Sequence, residues 1–533
     1  MKNVMIAFDE FDNPIDLSNE YKEVTGHLIF DVKLSEGFRR KARWVADGHK
    51  TESPASVTYS TVVSRDSVRI MLLITSLNGL EVMGADVQNA YLNAPNREKH
   101  WIKAGPEFGQ YEGKYYIVAR ALYGLKSAGA SFRSFMSKIL DSLGFRSCIA
   151  DPDVWRKPAV KECGENYYEY MMTYVDDLIA ISMDAKAILK QVEAVVKLKN
   201  DKIEPPESYL GAKLAYKVMD GVGRWTISSE DYLKAAVSNI EKGIKDKPQG
   251  KLKKMETPMV GNYLPELDGT AELDSDGITL YQEMIGMLRW ATELGRVDIL
   301  HEVSIMSQYQ ASPREGHLEQ VLNIFGFLKG HPKLTIHMDP TLPNIDYEVF
   351  NMVHDGFHEH YRDAEEQIPT DAPKPRGRGV RQVCYVDASH AANKVTRKSH
   401  TGILIFLNGA PIQWYSKRQQ TVETSAFSSE FIAIKVCIEL VRAMRYKLRM
   451  FSVPIEGSGY IFCDNLSVVK NCSKVESVLN KKHNALAYHM SRWAVAAKEV
   501  VIGWVNTSFN LADPFTKRMP KAARDGLFWK WTY

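Results

Sequence analysis

The sequence holds 533 residues, room for about three or four domains, with 45% hydrophobic residues, 25% charged residues and a formal net charge of +3. That is the balance of ordinary soluble globular protein, and so small a net charge requires any nucleic-acid footprint to be local. Six scattered cysteines (Cys148, Cys163, Cys384, Cys437, Cys463 and Cys472) form no C-x-x-C pair. Their pattern argues against zinc knuckles and disulfide scaffolding, and for a reducing compartment. No apolar stretch approaches transmembrane length, since the best, VRIMLLITSLNGL, carries Arg69 near its start. The N-terminal MKNVMIAFDEFD is too acidic, and its apolar part too short, for a signal peptide.

In chain order, residues 1 to about 85 mix charged turns with apolar runs. Within them, GFRRKARWVADGHK gathers Arg39, Arg40, Lys41, Arg43 and Lys50, which taken alone reads as a solvated strand face. Asp86 follows in an apolar setting, EVMGADVQNAYL. The spacing of Phe132, Phe135, Met136, Ile139, Leu140 and Leu143 predicts a helix over 127–143. In MMTYVDDLIAIS, two adjacent carboxylates, Asp176 and Asp177, sit between β-formers. Such a pair is costly unless a metal or a cation compensates it. The run reads as two short strands reversing at the Asp pair. With Asp86 as a third acid, these oxygen ligands suit two Mg²⁺ ions, the arrangement that polymerases use for nucleotidyl transfer. Leu233, Val237, Ile240 and Ile244 mark a further helix face, read as packing.

Between about 341 and 380 no period is sustained, and the stretch is acidic, then Pro/Gly/Arg-rich. It reads as an inter-domain linker or irregular insertion, mobile and dispensable, with His354, His358 and His360 as exposed loop histidines. VCYVDAS then reads as a strand, and TGILIFLNGAPIQWYSK as a hairpin turning at Asn408-Gly409. A long helix follows, with Ile434, Cys437, Ile438, Val441, Met444 and Leu448 on one face. A strand ending in CDN and a last strand, VVIGWV, complete a compact mixed α/β domain. Asp387, Glu430, Asp464 and Asp513 stand at strand ends or on the inward helix face, where four carboxylates can converge on a second two-metal site. Singly, each has a plainer reading. Asp464 and Asp513 could cap the turns that follow them, and Glu430, after Ser428 and Ser429, could be a first-turn acid favoured by the helix dipole. Together, in this strand–helix order, they favour the metal site.

The segments KARWVADGHKT, ADVQNAYLNAP, ALYGLKSAG, YVDDLIAI, SYLGAKL, YVDASHAANKVTRKSHTG, SSEFIAI, FCDN and NLADPFTK resemble, in order, the Pol product of copia-type LTR retrotransposons. The resemblance covers roughly residues 25 to 517. It implies an α/β (α+β) chain: a right-hand polymerase fold of fingers, palm and thumb/connection, followed by an RNase H-like α/β domain. The implied organisation is fingers and palm over 1–235, thumb/connection over 236–340, linker over 341–380, and the RNase H-like domain with its tail over 381–533. The implied activity is RNA-directed DNA synthesis with degradation of the RNA strand of the hybrid.

On this resemblance Asp86, Asp176 and Asp177 are polymerase metal ligands, and Asp387, Glu430, Asp464 and Asp513 are RNase H metal ligands. Each site would take two Mg²⁺, with Mn²⁺ as substitute. Tyr91 matches the aromatic gate against the ribonucleotide 2′-hydroxyl; without the motif it would read as a core tyrosine. Arg43 matches the arginine on the incoming triphosphate. Lys126, in LYGLK, falls in the segment lying against template and nucleotide, and YLG (209–211) in the region holding the primer end. The family usually continues LYGLK with Gln, a small residue and Pro; Ser127, Ala128 and Gly129 stand here, which puts the local template contact in doubt but not the chemistry.

The implied partners are RNA template, DNA primer, RNA–DNA hybrid, dNTPs and other products of the element, with no membrane. The implied location is a cytoplasmic virus-like particle, with the nucleus as a second compartment. No protease, integrase or zinc knuckle is matched upstream, so the chain reads as a truncated pol frame or a processed segment. A catalytically silent remnant that binds RNA or hybrid is the alternative in another class. A host nuclease joined to an unrelated domain does not explain DVQNAY and YVDD together.

Overall fold

A computed structural model describes residues 8–11, 20–33, 39–54, 58–245, 250–346, 348, 350, 357–479 and 482–532. His354 and the side chains of Arg39 and His358 lie outside them, while His360 is exposed. The chain divides into two compact units, one of residues 1–64, 81–164 and 168–206, the other of 65–80, 165–167 and 207–533. Among the described residues no helix is long and apolar enough to cross a membrane.

In the first unit a five-stranded antiparallel sheet carries the expected reversal. Its order is Glu81–Asp86, Asp177–Ser182, Asn166–Tyr174, Asp151–Val160, Arg146–Cys148. The helix Ala128–Ser142 buries Phe132, Met136, Ile139 and Leu140 in the same core as Met171, Leu178 and Ala180. Pairing of Gly26–Lys33 with Arg39–Ala46 forms a separate hairpin that presents Arg43 opposite Ile29.

The second unit holds the expected face of Leu233, Val237, Ile240 and Ile244, packed with Tyr281, Met284, Leu288 and Phe325 of neighbouring helices. It also holds a mixed five-stranded sheet ordered Ala410–Arg418, His400–Leu407, Gln382–Ser389, Gly459–Cys463, Val500–Trp504. The first three strands run antiparallel, and Gln382–Ser389, Gly459–Cys463 and Val500–Trp504 run parallel. Asn408 takes φ 52° in the two-residue turn between Leu407 and Ala410, as its Asn-Gly sequence predicts. The long helix Ala426–Met450 covers one face of this sheet, burying Ile434, Cys437, Ile438 and Val441 against Cys384, Val386, Ile461 and Ile502. This is the RNase H-like α/β arrangement that the resemblance implies.

Two features depart from the expected organisation. The stretch 1–235 is not one body, because the helix Arg65–Asn78 belongs to the second unit. There the Arg69 guanidinium lies 3.9 Å over the Trp414 ring and donates to the Ile412 carbonyl at 3.0 Å. Nor is the later part of 341–380 a mobile linker. Phe357 and Ala364 are buried in the core of the second mixed sheet. Backbone bonds from Arg376 to Ser452 and from Val380 to Pro454 fix its end. Glu366 accepts paired bonds from Arg445 (2.7 and 2.8 Å) and from Arg449 (2.6 and 3.2 Å).

Burial raises the Glu366 pKa, but the hydrogen bonds and charges of the two arginines outweigh it and hold the group below the ordinary carboxylate value. A depressed carboxyl stabilises the fold above its unfolded pKa, and that stability is lost as pH falls through the folded one. Glu366→Gln should therefore cost about 2–3 kcal/mol at pH 7, with the gap to wild type closing in acid below the carboxylate range. Urea unfolding at both pH values checks this, and equal midpoints at pH 7 would show the ion pair to be idle.

Candidate active sites

The first acidic set is built by strand register. Asp86 ends the strand Glu81–Asp86 and stands directly opposite Asp177, the first residue of the next strand. Asp176 occupies the tight reversal with Val175, whose φ of 55° turns the chain sharply between Tyr174 and Asp177. A bond from the Val87 amide to the Asp176 carbonyl, 2.8 Å, ties the turn to the neighbouring strand. Burial, then the hydrogen bond and charge of Asp86 and the charge of Asp176, push the Asp177 carboxyl up to about 7. Lys199, which the sequence reading missed, places Nζ 3.1 Å from Asp86 Oδ2 and partly offsets this crowding.

Tyr91 packs on Tyr123 with ring centroids 4.8 Å apart, and the Arg43 guanidinium lies 5.7 Å over the Tyr123 ring. Burial, then the Asp176 charge, raises the hydroxyl pKa of both tyrosines. Arg43, Tyr123 and Tyr91 thus pack in series, and the Asp176 charge reaches both tyrosines. Lys126 is not brought to the carboxylates by any contact among the described residues. It donates to the Thr51 carbonyl at 2.6 Å, fixing a loop. In the other unit, YLG holds Leu210 and Gly211 at φ 51° and 81°, with Gly211 beside Trp290.

The second acidic set draws together around Asp464. Carboxylate oxygens of Asp387, Asp464 and Asp513 lie within 4.8 Å of one another, as do ligand atoms of Glu430, Cys463 and Asp464. The capping alternatives do not hold. Ser425 caps the long helix and Glu430 is its fifth residue, so it is no first-turn acid. Asn465, not Asp464, caps the next helix by accepting from the Val468 amide. Asp513 opens its turn without a side-chain cap.

Burial, then the charges of Asp513 and Asp464, push Asp387 up to about 7. Burial, then Asp387 and Asp464, push Glu430 up to about 10, and burial chiefly raises Asp513. These shifts have the sign of buried anions crowding one another, which outweighs the single nearby lysine, Lys517. The Thr516 hydroxyl bonds Asp387, and Lys517 Nζ reaches Asp513 Oδ2 at 2.8 Å. Asp513 Oδ1 is buried and takes no hydrogen bond among the described residues. Oxygen donors in this number fit divalent ions such as Mg²⁺ or Mn²⁺. Buried Cys463, whose thiol pKa is raised well above normal, is a poor partner for such hard ions. The signals for Thr516 and Lys517 lay in the NLADPFTK segment itself, with Lys517 one helical turn beyond Asp513.

Residues 11–246 match the family described as "Reverse transcriptase (RNA-dependent DNA polymerase)". Over 490 residues the chain is 24% identical to a retrovirus-related Pol polyprotein from transposon RE1 of Arabidopsis thaliana, covering 91% of this chain and 30% of the relative. It is 25% identical over 508 residues to that from transposon TNT 1-94 of Nicotiana tabacum, covering 92% and 34%. The chain thus spans about a third of the length of these curated relatives. Among solved structures, a foamy viral protease-reverse transcriptase in complex with double-stranded DNA aligns with 88% of this chain and 63% of that one, at 11% identity and a TM-score of 0.47. By its ordered motifs the chain is similar to the Pol polyproteins of these retrotransposons, and residues 11–246 match the reverse transcriptase family.

Proposed function

We propose that the protein is an RNA-directed DNA polymerase with ribonuclease H activity. The observation that carries this reading is that acidic residues draw together in each compact unit: Asp86 faces Asp177 across an antiparallel reversal inside the reverse transcriptase match, and Asp387, Asp464 and Asp513 approach one another on the mixed sheet of the other unit. Asp86, Asp176 and Asp177 would hold one pair of Mg²⁺ ions, and Asp387, Glu430, Asp464 and Asp513 the other. Ions bound there activate an attacking oxygen and stabilise a leaving one.

The chain's own residues do the rest. Arg43, stacked over Tyr123, is placed to take the incoming triphosphate by charge-assisted bonds. Tyr91, packed on Tyr123, would floor the sugar pocket. Lys126, which donates to the Thr51 carbonyl, lies in the segment proposed to face template and nucleotide. The substrates are RNA template, DNA primer, dNTPs and the RNA–DNA hybrid, whose RNA strand is recognised by shape and 2′-hydroxyls. A cytoplasmic particle containing other products of the element is the proposed location, with the nucleus as a second.

Purified protein with Mg²⁺ should extend a primer on an RNA template and cleave the RNA of a hybrid. Tight binding with no turnover of either kind would identify a silent remnant instead. Tyr91→Val should relax discrimination against ribonucleotides by roughly 10–100-fold, with a smaller effect on dNTP incorporation. Competition between dNTP and NTP in the same extension assay reads this ratio, and an unchanged ratio removes Tyr91 from the sugar pocket.

A further inference from the structure

Beside the second carboxylate cluster lies a cleft of about 320 Å³ that none of the roles above uses. One wall comes from residues 261–309, the other from the loop 389–400, Arg418 and residues 516–518. Lys394, Lys398, Arg418, Lys517 and Arg518 line it, and Glu266 is the single lining carboxylate among the described residues.

Glu266 does not neutralise the cleft's lysines directly. Its Oε1 accepts the Lys394 backbone amide at 2.7 Å, which pins the loop. Lys517 is paired with Asp513, and Arg518 donates to the Val260 carbonyl at 2.8 Å. Lys394, Lys398 and Arg418 have no ion pair among the described residues. Two buried polar atoms facing this region, His301 Nδ1 and Gln308 Oε1, also have no hydrogen-bond partner among them.

The cleft is joined to the carboxylates at three points. Thr516 lines it and bonds Asp387, and Lys517 lines it and pairs with Asp513. His390 lines it and reaches Ser429, the residue before Glu430, at 2.7 Å. A strand whose phosphodiester sits at the carboxylates would have this cluster of cations beside it. The ligand that suits several unpaired cations is a run of phosphate oxygens.

We propose that this cleft binds backbone phosphates of the nucleic-acid strand that continues away from the carboxylate cluster, with the 261–309 wall completing the site. The proposal rests on the ribonuclease H reading, and its test separates the two. Hybrid affinity is measured against salt in EDTA, where no cleavage can occur. Lys394→Ala/Lys398→Ala should weaken binding about tenfold at moderate salt and make the slope of log K against log salt shallower by about 1 to 2. Arg418→Gln should lower the slope by about 1. The charge-matched Lys186→Ala/Lys190→Ala pair, two exposed lysines of a helix in the first unit, should leave the slope unchanged.

A wild-type slope in the Lys394/Lys398 variant overturns the cleft, as does an equal loss in the control pair. So does weakened binding of inorganic phosphate with hybrid binding intact, which would make the site one for free phosphate. Metal-dependent hybrid cleavage by the wild-type protein is scored separately. Its absence defeats the ribonuclease reading, while the salt slopes still decide the cleft.

Discussion

Primer extension should continue near the wild-type rate in Glu430→Gln, while cleavage of the RNA strand in a hybrid falls by more than about 100-fold. Glu430 is held on the inward face of the long helix, one turn before buried Ile434, and is 7% exposed. Crowded by Asp387 and Asp464 and removed from water, its carboxyl is neutral at pH 7 in the ion-free protein. Gln copies that neutral form in size and hydrogen bonding, so the variant should fold normally and unfold in EDTA at the wild-type temperature. What Gln cannot do is ionise to hold a cation. Mg²⁺ should therefore raise the unfolding temperature of the wild-type protein more than that of the variant. Loss of both activities in a folded variant would show that the second cluster is structural or coupled to the first. Loss of neither would leave Glu430 a packing residue.

Local pattern foretold much of this architecture, because helix faces and strand alternation depend on neighbours within a few residues. The YVDD reversal, the Asn408-Gly409 hairpin and the stripe from Ile434 to Leu448 are of this kind. Glu430 shows the limit of such reading, since the position of the cap, Ser425 rather than the serines beside Glu430, decides which turn the acid occupies. Long-range partners left no local trace. Glu366 meets Arg445 and Arg449 from 79 and 83 residues away, so a segment with no period reads as linker although two arginines clamp it. Lys199 lies 113 residues from Asp86, and nothing in its own neighbourhood marks it as a counter-charge. The helix Arg65–Asn78 takes in most of the apolar run VRIMLLITSLNGL, but the partner of its Arg69, Trp414, lies far along the chain.

The reciprocal change, Asp177→Asn, should lower primer extension by more than about 100-fold and leave hybrid cleavage measurable. Asp177 faces Asp86 across one antiparallel register step, with Asp176 beside it in the turn. This crowding, with burial, pushes the Asp177 carboxyl up to about 7, and Lys199 on Asp86 offsets part of it. Asn can keep a hydrogen bond to Asp86, and the Lys199–Asp86 pair is untouched, so the strand pairing should survive. The change removes one anionic oxygen ligand where two cations need every charge available. Affinity for a primer–template should stay within a few-fold of wild type, because most of it comes from phosphate contacts spread along the duplex. That separates a lost ligand from a lost binding surface: the rate collapses while binding holds. If extension persists in the variant, Asp177 is not a ligand and the first cluster needs another reading. If binding collapses with the rate, the Asp pair is holding the fold of the reversal rather than serving chemistry.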